Sequence, residues 1–150
     1  MGKYVGKSVA FQFAIAAESA SPSALTFLPL GAMRDKSVGI TWDTTDLTAD
    51  DSPASTKESL ATFKAVEISG SGVSRGPERP NQDILEAHVN NPGAVTGNQP
   101  CIWLRLTHPS GKVYTGYFMC SEFSTDAPYA DAITWTMKAM SNGAMTITPA

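Results

Sequence analysis

The segment Gly72-Val73-Ser74-Arg75-Gly76 spells G-x-S-x-G, the pattern of a nucleophile elbow, and Asp83 and His88 follow it in hydrolase order. An elbow exposes its serine only where a strand passes straight into a helix within a large mixed sheet. Here Pro77 and Pro80 intervene, Asp83 and His88 share one short helical stretch, and 150 residues are too few for a doubly wound hydrolase. Gly70-x-Gly72 lies in the same segment, but no parallel βαβ unit and no Walker lysine accompany it, so a phosphate cradle is a weak reading. The soft metal ligands are His88, Cys101, His108 and Cys120, and none stands at C-x-x-C or H-x-x-x-H spacing. No acid and base pair at a catalytic spacing either. The expectation is a protein with no catalytic residues, no metal and no cofactor.

The elements around these residues are short and mostly of one kind. Val9, Phe11, Phe13 and Ile15 alternate at the two-residue period of a half-buried strand. Lys3 and Lys7 ahead of this apolar stretch imitate a secretory signal. Gln12 and the alternation argue instead for a first strand retained in the mature protein, with structure beginning near Tyr4. Further strands are expected at Leu25–Leu30, around Val38, Ile40 and Trp42, and around Val66 and Ile68. Others follow at Cys101–Thr107, Val113–Phe123, around Ile133, Trp135 and Met137, and at Thr146–Thr148. One helix interrupts them at about 81–91, with Asn81 as N-cap, Ile84, Leu85 and His88 on its apolar face, and Asn90-Asn91-Pro92-Gly93 as its stop. The fold class this implies is mainly β: an antiparallel sandwich or barrel with one short α-helix, as a single domain over 1–150.

Two features need separate comment. Residues 43–59 form a long acidic loop holding Asp43, Asp46, Asp50, Asp51 and Glu58 against Lys57 alone, with seven Ser/Thr between 44 and 59. Loops of this length are usually functional or disordered. Pro109-Ser110-Gly111 marks a hairpin. A two-residue loop there would set Cys101 opposite Cys120, whereas a three-residue loop, which Pro109 favours, would separate them. Both cysteines read as small buried thiols.

Composition narrows the function classes. Hydrophobic residues make up 42% and charged residues 17%, which opposes disorder. Eleven basic against 14 acidic residues give a net charge of −3, the wrong sign for a dedicated nucleic-acid binder. No apolar run approaches the ~18 residues of a membrane span, so no membrane association is expected. A weakly charged β protein with Ser/Thr-rich strand faces would suit sheets extended by neighbouring copies.

The ordered series of pieces resembles the major tail proteins, or tail tube proteins, of long non-contractile-tailed bacteriophages, particularly the lactococcal-phage-type family. The residues that carry the resemblance begin with Gly6-Lys7 before the first strand and Leu30-Gly31-Ala32-Met33-Arg34 at the start of the second. Asp43-Thr44-Thr45-Asp46, Ser59-Leu60 and Ile68-Ser69-Gly70-Ser71-Gly72-Val73 come next, ahead of a short acid-containing helix. The Pro-x-Gly hairpin, Tyr114-Thr115-Gly116-Tyr117-Phe118 and a closing Gly143-Ala144-Met145-Thr146 complete the order. The acidic 43–59 loop, without the aromatic residue expected there, departs from it.

The resemblance implies a structural virion protein, assembled in the host bacterial cytoplasm as stacked hexameric rings whose strands join into a β-barrel tube. Its partners would be other copies, the tape measure, the tail terminator and the baseplate or tail-tip proteins, with DNA passing through unbound. Both cysteines would then stay reduced. Val38, Ile40, Trp42, Val66, Ile68, Ile133, Trp135 and Met137 are expected to face the core. Ser37, Thr41, Asp43, Glu67, Thr134, Thr136 and Lys138 would face the channel, with Glu67 neutralising Lys138 across the strands. A plain solvated sheet face is the alternative for these seven, since a one-residue slip reverses every assignment. Asp46, Asp50, Asp51, Lys57 and Glu58 would lie in a loop that orders on ring stacking. The nearest alternative is a type VI secretion-like tube protein; a secreted β-sandwich carbohydrate-binding or adhesin module is a different class.

Overall fold

A computed structural model describes residues 9–149 apart from 32, 51–52 and 75–78. The elements are β1 (Ala10–Ala14), β2 (Leu28–Pro29), β3 (Met33–Asp46), β4 (Ser59–Val73), α1 (Arg79–Asn90), β5 (Cys101–Thr107), β6 (Val113–Asp126) and β7 (Thr134–Thr148). All seven strands belong to one antiparallel sheet in the order β2-β1-β5-β6-β7-β4-β3. The sheet curls so that its two ends approach: a Cβ on Gly70 of β4 would lie 4.0 Å from the Phe11 ring of β1 and would collide with the Met33 methyl. Gly70 leaves room there for the end of the Met33 side chain.

Alternation builds the core as expected for half of the molecule. Phe11 and Phe13 of β1, Ile102, Leu104 and Leu106 of β5, and Phe118 and Cys120 of β6 point inward. Trp135, Met137 and Ala139 of β7 meet them, with Val66 and Ile68 of β4. β5 is buried on both faces. Its outer side carries Cys101 and Trp103, which pack with Ala14, Phe27 and Tyr117 under the segment between β1 and β2. Trp103 Nε1 donates to the Ala17 carbonyl at 3.0 Å, and Arg105 stacks 4.3 Å from the Phe27 ring centre while donating to Gln12.

The helix lies across the open end of the curl. Gln82, Leu85 and His88 form its buried face. Gln82 Nε2 donates to the carbonyls of Leu30 and Gly31 at one end of the sheet and of Val73 at the other. His88 Nε2 lies 2.9 Å from the Cys101 carbonyl, the ordinary role of a packed histidine. The helix starts two residues before the expected cap, and Asn81 is spent on a tertiary bond, donating from Nδ2 to the Pro29 carbonyl at 2.8 Å. Ile84, placed on the buried face by its spacing, is exposed because Gln82 takes the inward position.

Several expected boundaries shift. The strand at Leu25–Leu30 contracts to Leu28–Pro29, and the short final strand is the end of a continuous β7. Asp43–Asp46 belong to β3 and Ser59 to β4, so the acidic loop is confined to 47–58. The reason is register: Thr44, Thr45 and Asp46 pair with Ala61, Leu60 and Ser59. The β5–β6 turn takes the longer form, with Thr107 opposite Val113, His108 N donating to the Lys112 carbonyl and Gly111 at φ 98°. Cys101 therefore faces Met119, and both cysteines are free and buried.

Candidate functional site

The strands β6, β7, β4 and β3 are each 14 or 15 residues long and neighbour one another in the sheet. One face of this four-stranded half supplies the core. The other carries a polar pattern that the register assembles from all four strands. Ser37 lies beside Ser69, Ser69 beside Lys138 and Lys138 beside Glu122. The next rows pair Ser71 with Thr136 and Thr136 with Ser124, then Val73 with Thr134 and Thr134 with Asp126. Glu67 continues the face, opposite Gly39 and Met140, and Thr41 and Asp43 follow by alternation along β3. The seven residues singled out in the sequence, Ser37, Thr41, Asp43, Glu67, Thr134, Thr136 and Lys138, therefore share one face.

The electrostatics of that face differ from expectation in one respect. Lys138 is met by Glu122 at 3.9 Å, because β6 and not β4 places a carboxylate directly beside it. Glu67 sits opposite Met140 instead. Glu122 and Asp126 were missed in the sequence because the bulge between Cys120 and Glu122 breaks the two-residue alternation of β6. Asp35 joins them through Ser71, whose Oγ donates to Oδ2 at 3.4 Å. The face thus holds Asp35, Asp43, Glu67, Glu122 and Asp126 against Lys138, and is acidic. Among the described residues no segment packs over it as the β1–β2 segment packs over the outer side of β1 and β5.

Beyond the pairing of Glu67 with Met140, β3 and β4 leave the sheet and continue as a two-stranded arm. Ile40 and Trp42 were expected in the core. They have the right parity, but β7 has no strand at that level to close over them, and Trp42 is 53% exposed. Ile133, just before β7, is exposed as well. Phe63 on the arm is 76% exposed, and Leu47 and Leu60 are also open to solvent. At the tip, the Asp46 carboxylate accepts the Thr48 N–H at 2.9 Å, and bonding to Thr48 holds its pKa below the usual value. Leu47 N donates to the Glu58 carbonyl, and Glu58 N donates to Thr48 Oγ1 at 2.8 Å. Asp46, Asp50, Lys57 and Glu58 are gathered at this exposed tip; Asp51 lies outside the described residues.

The catalytic motif finds no support in geometry. Val73 ends β4 and Ser74 N donates to the Ile133 carbonyl, while Arg75 and Gly76 lie outside the described residues, as do Lys3, Tyr4, Gly6 and Lys7. Among the described residues, no three His, Cys, Asp or Glu side chains are grouped to hold a metal ion. No described helix is long and apolar enough to cross a membrane.

The described residues thus form a curled antiparallel sheet with one apolar face, one open polar face and a projecting arm. The sequence matches the phage tail tube protein family over residues 5–147, and the chain belongs to that family. It is a structural protein of the virion's tail tube, and the family and its structural neighbours are not enzymes. A comparison with curated protein sequences finds no match. The fold is similar to a chain in the tail of an empty gene transfer agent particle, solved with C6 symmetry, at 17% identity and a TM-score of 0.72. That alignment covers 97% of this chain and 99% of the other. The SPP1 tail tube is similar at 10% identity and a TM-score of 0.62, over 99% of this chain and 80% of that one. The sheath-tube complex of an extracellular contractile injection system gives 10% and 0.60, over 99% and 93%.

Proposed function

We propose that six copies close into a ring, that rings stack into the tube of a long non-contractile tail of the lactococcal-phage type, and that DNA leaves the capsid through it. The observation that carries this reading is the uncovered polar face of β6, β7, β4 and β3, backed by the core on its other side. Turned inward, Ser37, Thr41, Asp43, Glu67, Thr134, Thr136 and Lys138, with Glu122 and Asp126, would line the channel. Such a wall repels phosphate: its one lysine is compensated by Glu122, and its remaining charges are carboxylates. Each exposed Lys or Arg would instead add a phosphate contact and retard the passing duplex.

The arm, with Asp46, Asp50, Lys57 and Glu58 at its tip and Asp51 within the same stretch of sequence, is the element we assign to contact between rings. An isolated two-stranded ribbon is marginal in water, and its apolar side chains gain only if another copy covers them. The tape measure, tail terminator and baseplate or tail-tip proteins would meet the ends of the stack.

Glu67→Lys tests the channel. Six-fold repetition turns one substitution into a basic ring, so particles carrying it are expected to assemble tails of normal length yet deliver DNA poorly. Normal infectivity from such particles would remove Glu67 from the channel wall.

A further inference from the structure

β7 breaks its pairing at one point. Gly116 of β6 stands opposite Met145 and Phe118 opposite Ser141, so Asn142, Gly143 and Ala144 bulge against Tyr117 alone. β4 pairs with β7 only as far as Met140, so the register gives none of the three a partner on either side. Gly143 is exposed at φ 145°, a conformation that favours glycine. Asn142 is exposed as well, at the edge of a cleft of about 630 Å³ that Glu18, Thr96, Gln99, Cys101 and Tyr117 also line. Its Nδ2 donates to Cys101 Sγ at 3.4 Å, and Glu18 Oε1 lies 3.4 Å from where a Cβ on Gly143 would stand. Asparagine followed by glycine is the pair in which the next backbone nitrogen attacks the side-chain amide most easily, because glycine has no side chain to hinder the approach. Of the five asparagines in the chain, only Asn142 precedes a glycine. Asn91 precedes Pro92, which has no N–H to lose, and Asn81 lies in α1 with its amide on the Pro29 carbonyl.

We propose that Asn142 is a site of spontaneous modification, losing its side-chain amide to Gly143 and becoming a carboxylate that loosens the segment between β1 and β2. The Gly143 nitrogen gives up its proton and forms a bond to Asn142 Cγ. The Cγ–Nδ2 bond breaks, ammonia leaves with that proton, and a cyclic imide remains. Water then adds to one of the two imide carbonyls: opening at Cγ gives aspartate, and opening at the backbone carbonyl gives isoaspartate. No oxidant and no enzyme is required. A regular ladder would hold the Gly143 N–H in a hydrogen bond and its backbone in an extended form, whereas the bulge leaves Gly143 outside the ladder. The cleft admits the water. The product changes this cleft in two ways. The donor to Cys101 is lost, and a second carboxylate stands near Glu18, within the segment that covers Trp103 and Tyr117. Like charges there push Glu18 away. With it moves Ala17, whose carbonyl accepts from Trp103 Nε1. The chemistry belongs to the single subunit and is independent of ring assembly.

Peptide mapping by mass spectrometry, on wild-type protein held folded in neutral and in mildly alkaline buffer, tests the site. Conversion is expected at Asn142 and not at Asn81, Asn90, Asn91 or Asn98. It should be faster at the higher pH, because the nitrogen attacks after losing its proton, and comparable in rate to the same chain unfolded in urea. About tenfold or greater protection of Asn142 on folding, or earlier conversion of another asparagine, would overturn the proposal. Asn142→Asp supplies the product directly, while Asn142→Gln keeps an amide that closes a ring far more slowly. Hydrogen exchange over residues 15–27 should run about tenfold faster in Asn142→Asp than in wild type, and stay near the wild-type rate in Asn142→Gln. Equal exchange in all three proteins would overturn the effect on the segment. If Asn142→Asp does not fold, the same exchange is read on wild-type protein aged until most of it is converted, with the same two outcomes.

Discussion

β4 is two strands in one. From Val66 to Gly72 every second residue is buried, and the strand is held by β3 on one side and β7 on the other. From Ser59 to Ala65 every residue is exposed, though the sequence is no more polar, and only β3 accompanies it. The difference is the end of backbone pairing with β7 at Met140, after which Val66 N donates to the Ser141 side chain of β7 instead of a backbone carbonyl. Alternation along a strand states which face is apolar; it does not state whether the same chain covers that face. The uncovered part is the one proposed above for contact between rings.

Two tryptophans make the sharpest contrast. Trp135 is 1% exposed in the core, and Trp135→Ala is expected to cost about 3–5 kcal/mol, a large share of the ~5–15 kcal/mol typical of a domain. Thermal unfolding followed by circular dichroism should show most of the cooperative transition lost. Trp42→Ala, on the arm, should change the same curve by no more than about 0.5 kcal/mol while abolishing tubes in negative-stain images. A large drop in subunit stability from Trp42→Ala would mean that the arm is packed within the monomer.

The tie across the open end of the curl comes next. Gln82 bonds three carbonyls from both ends of the sheet, so Gln82→Leu leaves buried acceptors unmet. A loss of about 1–3 kcal/mol in urea unfolding is expected. No loss would show that the sheet ends are held by packing alone.

A smaller effect appears with alkali. Burial pushes the Cys120 thiol up to about 11, against a smaller lowering from hydrogen bonding with the Glu122 backbone. Burial, followed by Cys101 and Glu18, pushes Tyr117 up to about 12. Both acids are neutral in the fold and ionise more readily when unfolded, so their stabilising effect is complete below about pH 9 and fades as pH rises through 9–12. The melting temperature should fall across that window, and Cys120→Ala should flatten the lower part of the fall. An unchanged slope in Cys120→Ala would assign the effect elsewhere.

Much of the fold was legible in the residues. Phe11 and Phe13, Val66 and Ile68, and Trp135 and Met137 announce their strands by spacing, and the polar residues between them fall on the common outer face. Pro109 announces the longer hairpin that separates Cys101 from Cys120. What was not legible depends on tertiary pairing. Asn81 and Gln82 are spent on carbonyls about fifty residues away, which no local cap pattern reveals. Asp43–Asp46 look like loop because they are polar, yet Thr44–Asp46 pair with β4 and the Thr62 hydroxyl donates to the Asp43 carbonyl. Glu122 was hidden behind a bulge, so Lys138 was assigned the wrong carboxylate.

The central claim is that the polar face of the four long strands lines the tube. A helical reconstruction of assembled tubes by cryo-electron microscopy measures this directly. The account predicts Ser69, Glu122, Thr136 and Lys138 on the inner wall, with α1 and the core outside them. A reconstruction with these four side chains on the outer surface, or with the core side of β7 toward the lumen, would contradict it.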